Sequence, residues 1–479
     1  GRSGASGDVR AREAMPVTYP THLAGAILLA GGDARAAEAL RAVTIGNPAH
    51  DAWEARATRV RLPGPEPPET LTAGGYVPDG PWEGWTWVPR FAPVDVANAE
   101  DRTVCPPAPG VSATSIELRP LQRAACRAWW DAGQTGQIVA PCGAGKTVMG
   151  LAIVASCPTP ALVLVHTLDL LRQWVDRARE LLPGVEVSTI GGGKVGRPAR
   201  LTVATLQTLG RWTWREREEF GARFGLVIAD ECHHTPALGI CECLAALPGR
   251  YRLGLTATPT RHDGLTDLIT WSCGPIRYQL SQADMEATGA TLAPTIRWVA
   301  TGYAAIDTAH SARRMTALVE DGDRNAIMVA LARGVVRSGR SVLVLSERVE
   351  HCRTLAEAIA RDGTTCESLV GEVTAARRAD LLGRLRSGAL QAVTATTIAD
   401  EGLDVPSLDA VILATPTGNV QRVQQRVGRA LRSSPGKEQP EVIDLVDDWG
   451  PWGGYAWRRY HLYRRLGWRP TQPPVRRAP

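Results

Sequence analysis

Ala140-Pro141-Cys142-Gly143-Ala144-Gly145-Lys146-Thr147 is entered from the apolar run 137–139 and left through the helical pattern of Val148-Met149-Gly150-Leu151-Ala152. Glycines at 143 and 145, flanking Ala144, let backbone N–H groups wrap a phosphate, and the N-terminus of the following helix adds positive potential. Lys146 is then placed to reach the β- and γ-phosphates, and the Thr147 hydroxyl to ligate Mg²⁺. Ala140 stands where the strict pattern has its first glycine. The lysine is informative in itself, because the chain holds 51 Arg and only three Lys.

A nucleotide hydrolase needs, beside such a loop, one carboxylate for the metal and a second to orient water, normally at the end of a neighbouring strand. Leu226-Val227-Ile228-Ala229 delivers Asp230-Glu231-Cys232-His233-His234 at such a point. Asp230 is the expected holder of Mg²⁺, through its water shell, and Glu231 the expected base for the attacking water. Cys232, His233, His234, Cys241 and Cys243 invite a zinc reading. Cys241-Glu242-Cys243 lacks the two-residue spacing of zinc fingers, however, and Cys232 and His233 already belong to the Asp-Glu element.

Apolar runs at 137–140, 161–166, 201–204, 226–229 and 252–256 alternate with amphipathic helical stretches, the texture of a buried parallel sheet of the doubly wound kind. After a less regular stretch, 285–320, the runs 341–346, 367–370, 392–396, 410–414 and 441–446 repeat that texture. The expected fold is α/β: two tandem doubly wound parallel-sheet lobes over 113–300 and 301–448. An accessory region precedes them over 1–112, and a basic aromatic tail follows over 449–479.

At 479 residues, 44% hydrophobic and 22% charged, the chain reads as a soluble globular protein with room for about three domains. The run 23–30 is too short to span a bilayer and no charged segment leads into it, so neither a membrane span nor a signal peptide is expected. Ten irregularly spaced cysteines fit reduced thiols in the cytoplasm. Residues 61–110 hold 11 prolines with Trp82, Trp85 and Trp87, which rules out long helices and leaves a small irregular or β-rich module, or a linker.

The net charge of +5 is unevenly spread: residues 1–110 carry 10 Arg against 13 acidic residues, and residues 450–479 carry seven Arg and no acid. In that tail Trp449, Trp452, Tyr455, Trp457, Tyr460, Tyr463 and Trp468 interleave with Arg458, Arg459, Arg464, Arg465 and Arg469. The aromatics could stack on bases while arginines neutralise phosphates. Equally, they could pack a last helix against the second lobe and leave the arginines solvated.

Taken in order, the motifs over residues 117–448 resemble those of superfamily 2 helicases and translocases, in the branch holding the XPB-like DNA helicases and the helicase subunits of restriction systems. The resemblance implies two RecA-like lobes with ATP in the cleft between them and nucleic acid across the top. Leu118-Arg119-Pro120-Leu121-Gln122 is similar to the segment whose Gln and neighbouring Arg recognise adenine, which implies ATP as the nucleotide, held by Arg119 and Gln122. Thr167 with Gln173-Trp174 resembles the first strand-tracking motif, and Thr205-Leu206-Gln207 another; both also read as ordinary strand ends and helix caps. Gly192, within Gly191-Gly192-Gly193-Lys194, could let amides approach a nucleic-acid phosphate or simply turn the chain.

Thr256-Ala257-Thr258-Pro259 resembles the motif coupling hydrolysis to lobe movement, and is followed by Arg261-His262-Asp263 where XPB-like helicases carry Arg-Glu-Asp. In the second lobe Ser346-Glu347-Arg348 with His351 takes the place of a backbone-contacting motif, or of a helix cap with surface charges. Thr396-Thr397 implies sugar-phosphate contact, and Gly402 and Asp404 of Glu401-Gly402-Leu403-Asp404-Val405-Pro406 imply nucleotide contact. Gln425-Arg426-Val427-Gly428-Arg429-Ala430-Leu431-Arg432 resembles the arginine-finger helix. Charge developing on the γ-phosphate needs a fixed guanidinium, and Arg429 and Arg432, three positions apart, share one helical face, with Gln425 in the same catalytic set.

The implied function is an ATP-dependent DNA helicase or translocase using ATP and Mg²⁺ on single-stranded or forked DNA, in a branch that works mostly 3′-to-5′. Beside it stand an RNA-directed ATPase, a nucleotide switch that does not hydrolyse, and a motor subunit of a restriction, repair or defence assembly with a nuclease or repair partner docked on residues 1–110. Intact Lys146, Asp230, Glu231, Arg429 and Arg432 argue against the switch. No membrane partner is expected.

Overall fold

A strand that is apolar at consecutive positions has to be covered on both faces. The computed structural model describes residues 100–474 apart from 112–113, 142, 232–236, 258–265, 290, 304–310, 372, 397–407, 419, 421–422, 425–426, 428–438 and 448–450, together with short segments between residues 21 and 93. In it Ala161–Val165, Leu201–Thr205 and Leu226–Asp230 are buried at every position. The chain forms two compact units with the main sequence break between Gln279 and Leu280.

The first unit is built on an eight-stranded sheet in the order Lys194–Val195, Val187–Gly191, Leu201–Thr205, Ala161–Val165, Leu226–Asp230, Tyr251–Thr256, Thr135–Val139, Ile276–Gln279. All neighbours are parallel except the first two, which form a hairpin. Leu162, Leu164, Val227 and Ala229 on the strands meet Ile240 and Leu244 of the helix Ala237–Ala245 in one core. Each fully buried Leu or Ile there stabilises the unit by about 1.5–3 kcal/mol.

The second sheet runs Thr295–Ala300, Glu441–Val446, Ala410–Leu413, Val342–Leu345, Ala392–Ala395, Cys366–Leu369, all parallel. Both sheets thus carry the expected doubly wound architecture. The division expected after residue 300 differs from the observed one. Thr295–Ala300 pairs along its whole length with Glu441–Val446, so it is an edge strand of the second sheet. Its burial alternates between exposed and intermediate, the mark of an edge, and that hid it among the less regular residues.

Among the described N-terminal residues, a small sheet runs Gly75–Tyr76, Thr86–Pro89, Ala26–Leu29, Thr21–Leu23, Glu100–Asp101. It rests on the first unit: the Trp87 and Trp214 rings lie 5.6 Å apart, and Phe91 N donates to Trp271 O at 2.8 Å. At the other end of the chain, Pro451–Arg465 is a helix with Trp452, Tyr460 and Tyr463 buried, which is the packing alternative for the tail. Arg459, on the same side, is buried in a bidentate pair with Asp444 and is structural. No described helix is long and apolar enough to cross a membrane.

Candidate active site

Register places the chemistry. Asp230 is paired with Leu255 and Val139 with Thr256, so the last residue of Leu226–Asp230 and the loop after Thr135–Val139 leave the carboxyl edge of the sheet with one strand between them. Lys146, at the start of the helix Lys146–Ser156, brings Nζ to 3.0 Å from Glu231 Oε1 and donates to Ala140 O at 3.2 Å. Gly143 (φ 88°) and Gly145 (φ 83°) lie in the left-handed region, where a side chain is strained. Ala140 does not; it is buried, and its N–H donates to Thr256 O at 2.9 Å, so alanine replaces the first glycine without backbone strain. A Cβ on Gly145 would also come within 2.4 Å of Gln122 Nε2.

Gln122 is thereby fixed against the loop, with Oε1 accepting from Arg119 N at 2.9 Å at the head of the helix Pro120–Asp131. Gln122 thus lies directly against the phosphate loop, while Arg119 is exposed and meets Gln122 through its backbone N–H.

Glu231 has φ 48°, uncommon for a residue other than glycine, and strain of this kind collects at working sites. Its N–H donates to Leu255 O at 2.8 Å, and Oε2 accepts from Ala257 N at 3.4 Å. Asp230 is buried, and that burial, helped by the neighbouring Glu231 charge, pushes its carboxyl up to about 6. Opposing the shift, Trp174 Nε1 donates to Asp230 Oδ2 at 2.7 Å. The Trp174 ring lies against the phosphate-loop helix, where a Cβ on Gly150 would meet it at 2.5 Å.

The donor set suits Mg²⁺, a hard cation that takes oxygen ligands and keeps several waters. Asp230 Oδ1 is buried and has no hydrogen-bond partner among the described residues, as expected of an oxygen left for a hydrated metal. Thr147 sits in the first turn of the helix Lys146–Ser156. No group of three or more His, Cys, Asp or Glu among the described residues is placed to hold a metal ion. Cys243 is buried and its thiol is pushed up to about 11, which suits a structural thiol.

The sequence places Trp174 in the step that resembles the strand-tracking motif and gives no sign of its contact with Asp230. An indole N–H is a donor that an aromatic run cannot reveal until its acceptor is known. Trp174→Phe keeps the ring and removes a hydrogen bond to a carboxylate, worth about 1.5–3 kcal/mol. If Asp230 holds the metal, the Mg²⁺ concentration for half-maximal ATPase should rise by up to about 10- to 150-fold, the same free energy. The acid limb of the ATPase pH profile should also move to higher pH, since an Asp230 with fewer donors protonates sooner as pH falls. An Mg²⁺ requirement and acid limb identical to those of the parent protein would refute this.

The expected nucleic-acid residues divide by exposure. Gln207, Gly192 (φ 60°) and Arg348 are exposed and Gln173 is half-buried. Thr167 caps the helix Leu168–Leu181, its Oγ1 accepting from Leu170 N at 3.3 Å. Thr205 is buried, with Oγ1 2.8 Å from Thr208 Oγ1, and Thr396 is buried at the end of Ala392–Ala395. Ser346 is buried too. Its Oγ lies 2.9 Å from His351 Nδ1 and accepts from Arg348 N at 3.2 Å, while His351 Nε2 lies 2.9 Å from Asn325 Oδ1. Burial and the Arg324 charge hold His351 down at about 4, so it is neutral and orders the turn that presents Arg348. Thr397, Gly402, Asp404, Gln425, Arg429 and Arg432 lie outside the described residues, as do Cys232, His233, His234, Thr258, Pro259, Arg261, His262 and Asp263.

Two family models match: the type III restriction enzyme res subunit over residues 115–261 and the helicase conserved C-terminal domain over residues 324–434. The DNA 3′-5′ translocase XPB2 of Sulfurisphaera tokodaii is 30% identical over 373 residues, covering 69% of this chain and 82% of that protein. The DNA 3′-5′ helicase XPB of Mycobacterium tuberculosis is 30% identical over 335 residues, covering 66% of this chain and 58% of that protein. Among solved structures, the ATP-dependent Type ISP restriction-modification enzyme LlaBIII bound to DNA matches with a TM-score of 0.56 at 16% identity, over 75% of this chain and 31% of that one. That match speaks for the fold alone.

Proposed function

Because this chain belongs to the XPB-like superfamily 2 helicases and translocases, we propose that it couples hydrolysis of ATP with Mg²⁺ to 3′-to-5′ movement along DNA, acting on single-stranded or forked substrates. It is an ATP-hydrolysing enzyme of the helicase class. The observation that carries the reading is the joint placement of Lys146, Asp230 and Glu231 at one carboxyl edge, with Lys146 Nζ 3.0 Å from Glu231 Oε1.

Gly143, Gly145 and the helix start bind phosphate oxygens, and Lys146 exchanges its carboxylate partner for them. Asp230 and Thr147 would hold Mg²⁺, which when bound neutralises charge on the β- and γ-phosphates. Glu231, oriented by Ala257 N, takes the proton of the attacking water. Arg429 and Arg432 stabilise the charge that develops on the transferred group, and Gln425, Gly402 and Asp404 complete the nucleotide contacts. Arg119 and Gln122 select adenine. Thr167, Gln173, Gly192, Thr205, Gln207, Ser346, Arg348, Thr396 and Thr397 make or position the strand contacts. Residues 1–110 are the candidate docking region for a nuclease or repair partner.

Steady-state ATPase rates measured alone and with single-stranded DNA, duplex DNA or RNA test the reading. DNA should stimulate turnover, and Lys146→Ala should remove the activity under every condition. Stimulation by RNA in place of DNA would move the substrate class, and a rate untouched by any nucleic acid would refute the motor.

A further inference from the structure

The helix Pro451–Arg465 is two-sided. Trp452, Ala456, Arg459, Leu462 and Tyr463 face the second unit and are buried, whereas Arg458, His461, Arg464 and Arg465 are exposed. At 3.6 residues per turn these four fall on one arc, opposite the buried stripe. Arg469, also exposed, follows just past the helix. None of the four exposed arginines pairs with an acidic side chain among the described residues, and the tail from 450 to 479 contains no acid. Arg458 lies over the Tyr455 ring at 5.6 Å and Arg464 over Tyr460 at 6.0 Å, cation–π contacts that steady the two guanidinium groups on the helix.

We propose that this arc binds the phosphate backbone of the nucleic acid on which the chain moves, a contact beyond the helicase motifs. The proposal rests on the function read above. Two properties select a polyphosphate over a protein. The arc carries three arginines and no acid, and no described residue of this helix is among the exposed large hydrophobics, so it lacks the apolar centre that protein interfaces carry. Its length also matches: the seven steps from Arg458 to Arg465 span about 10 Å of helix, against a charge every ~1.7 Å along duplex DNA. The Arg459–Asp444 pair and the buried aromatics fix the helix to its sheet, so a load on the arc is borne by the second unit.

The test is equilibrium binding of a fluorescent forked DNA duplex to the full chain across a salt series. The parent protein is compared with Arg458→Gln/Arg464→Gln/Arg465→Gln and with an equal-charge control, Arg337→Gln/Arg361→Gln/Arg386→Gln, on other exposed positions of the same unit. The arc variant should bind about tenfold more weakly, with the slope of log K against log salt shallower by about 2. Its ATPase without DNA should be unchanged, and the control should stay near the parent. Parent-like affinity and slope in the arc variant, or equal weakening in the control, overturns the assignment while leaving the motor reading intact. Absence of DNA binding by the parent protein overturns both.

Discussion

Glu231→Gln is expected to lower DNA-stimulated ATP turnover by about 10²–10⁴-fold, the usual contribution of a positioned general base. The substitution keeps the size of the side chain and an oxygen for Ala257 N, which donates to Glu231 Oε2 at 3.4 Å, but it removes the proton acceptor. It also removes the charge facing Lys146 Nζ at 3.0 Å. That lysine then meets phosphate without first leaving a carboxylate, so ATP affinity should hold or rise as turnover falls. Rapid-mixing ATPase and nucleotide binding on the same preparation separate the two. A fall in affinity with turnover preserved would assign Glu231 to binding and leave the base to be found elsewhere.

Arg459→Met is expected to destabilise the second unit by about 3–5 kcal/mol, because it leaves one partner of a buried pair without its counter-charge. Arg459 Nε and Nη2 both donate to Asp444, at 2.9 and 2.8 Å, and Nη1 donates to Thr417 O at 2.9 Å. Among the described residues only Tyr463 Oη, donating to Asp444 Oδ2 at 2.8 Å, would remain on that carboxylate. Urea unfolding followed by tryptophan fluorescence should show the transition of the second unit at lower denaturant with the first unit's in place. Arg458→Met, one position earlier on the exposed arc, should change neither. Equal effects of the two substitutions would mean that the buried pair is not what anchors the helix.

The catalytic half of the site was legible because its chemistry is local. A glycine pair, a lysine and a threonine lie within five residues, and an Asp-Glu step ends an apolar run, so spacing alone puts each group at a strand end. The parallel sheets were legible for a related reason: strands covered on both faces are written as unbroken apolar runs. Edge strands are not so written. Ile276–Gln279 and Thr295–Ala300, at sheet edges, and Val187–Gly191, next to the edge pair Lys194–Val195, are partly exposed and mix polar with apolar residues, so no unbroken apolar run marks them.

The contacts invisible in sequence are those between residues far apart in it. Trp174 and Asp230 are 56 positions apart, and Arg324 and Asp447, joined at 2.8 Å in a second buried pair, are 123 apart. In Ser346-Glu347-Arg348 only packing against His351 and Asn325 turns the serine inward and leaves Arg348 outside.

By itself the sequence determined the two α/β lobes and which loop and carboxylates stand at strand ends, since backbone period and short-range spacing decide these. Tertiary structure alone decided which arginines of the tail are structural and which are free to meet a partner. One position along a helix turns a side chain by about 100°, and only the packed sheet says which direction is inside.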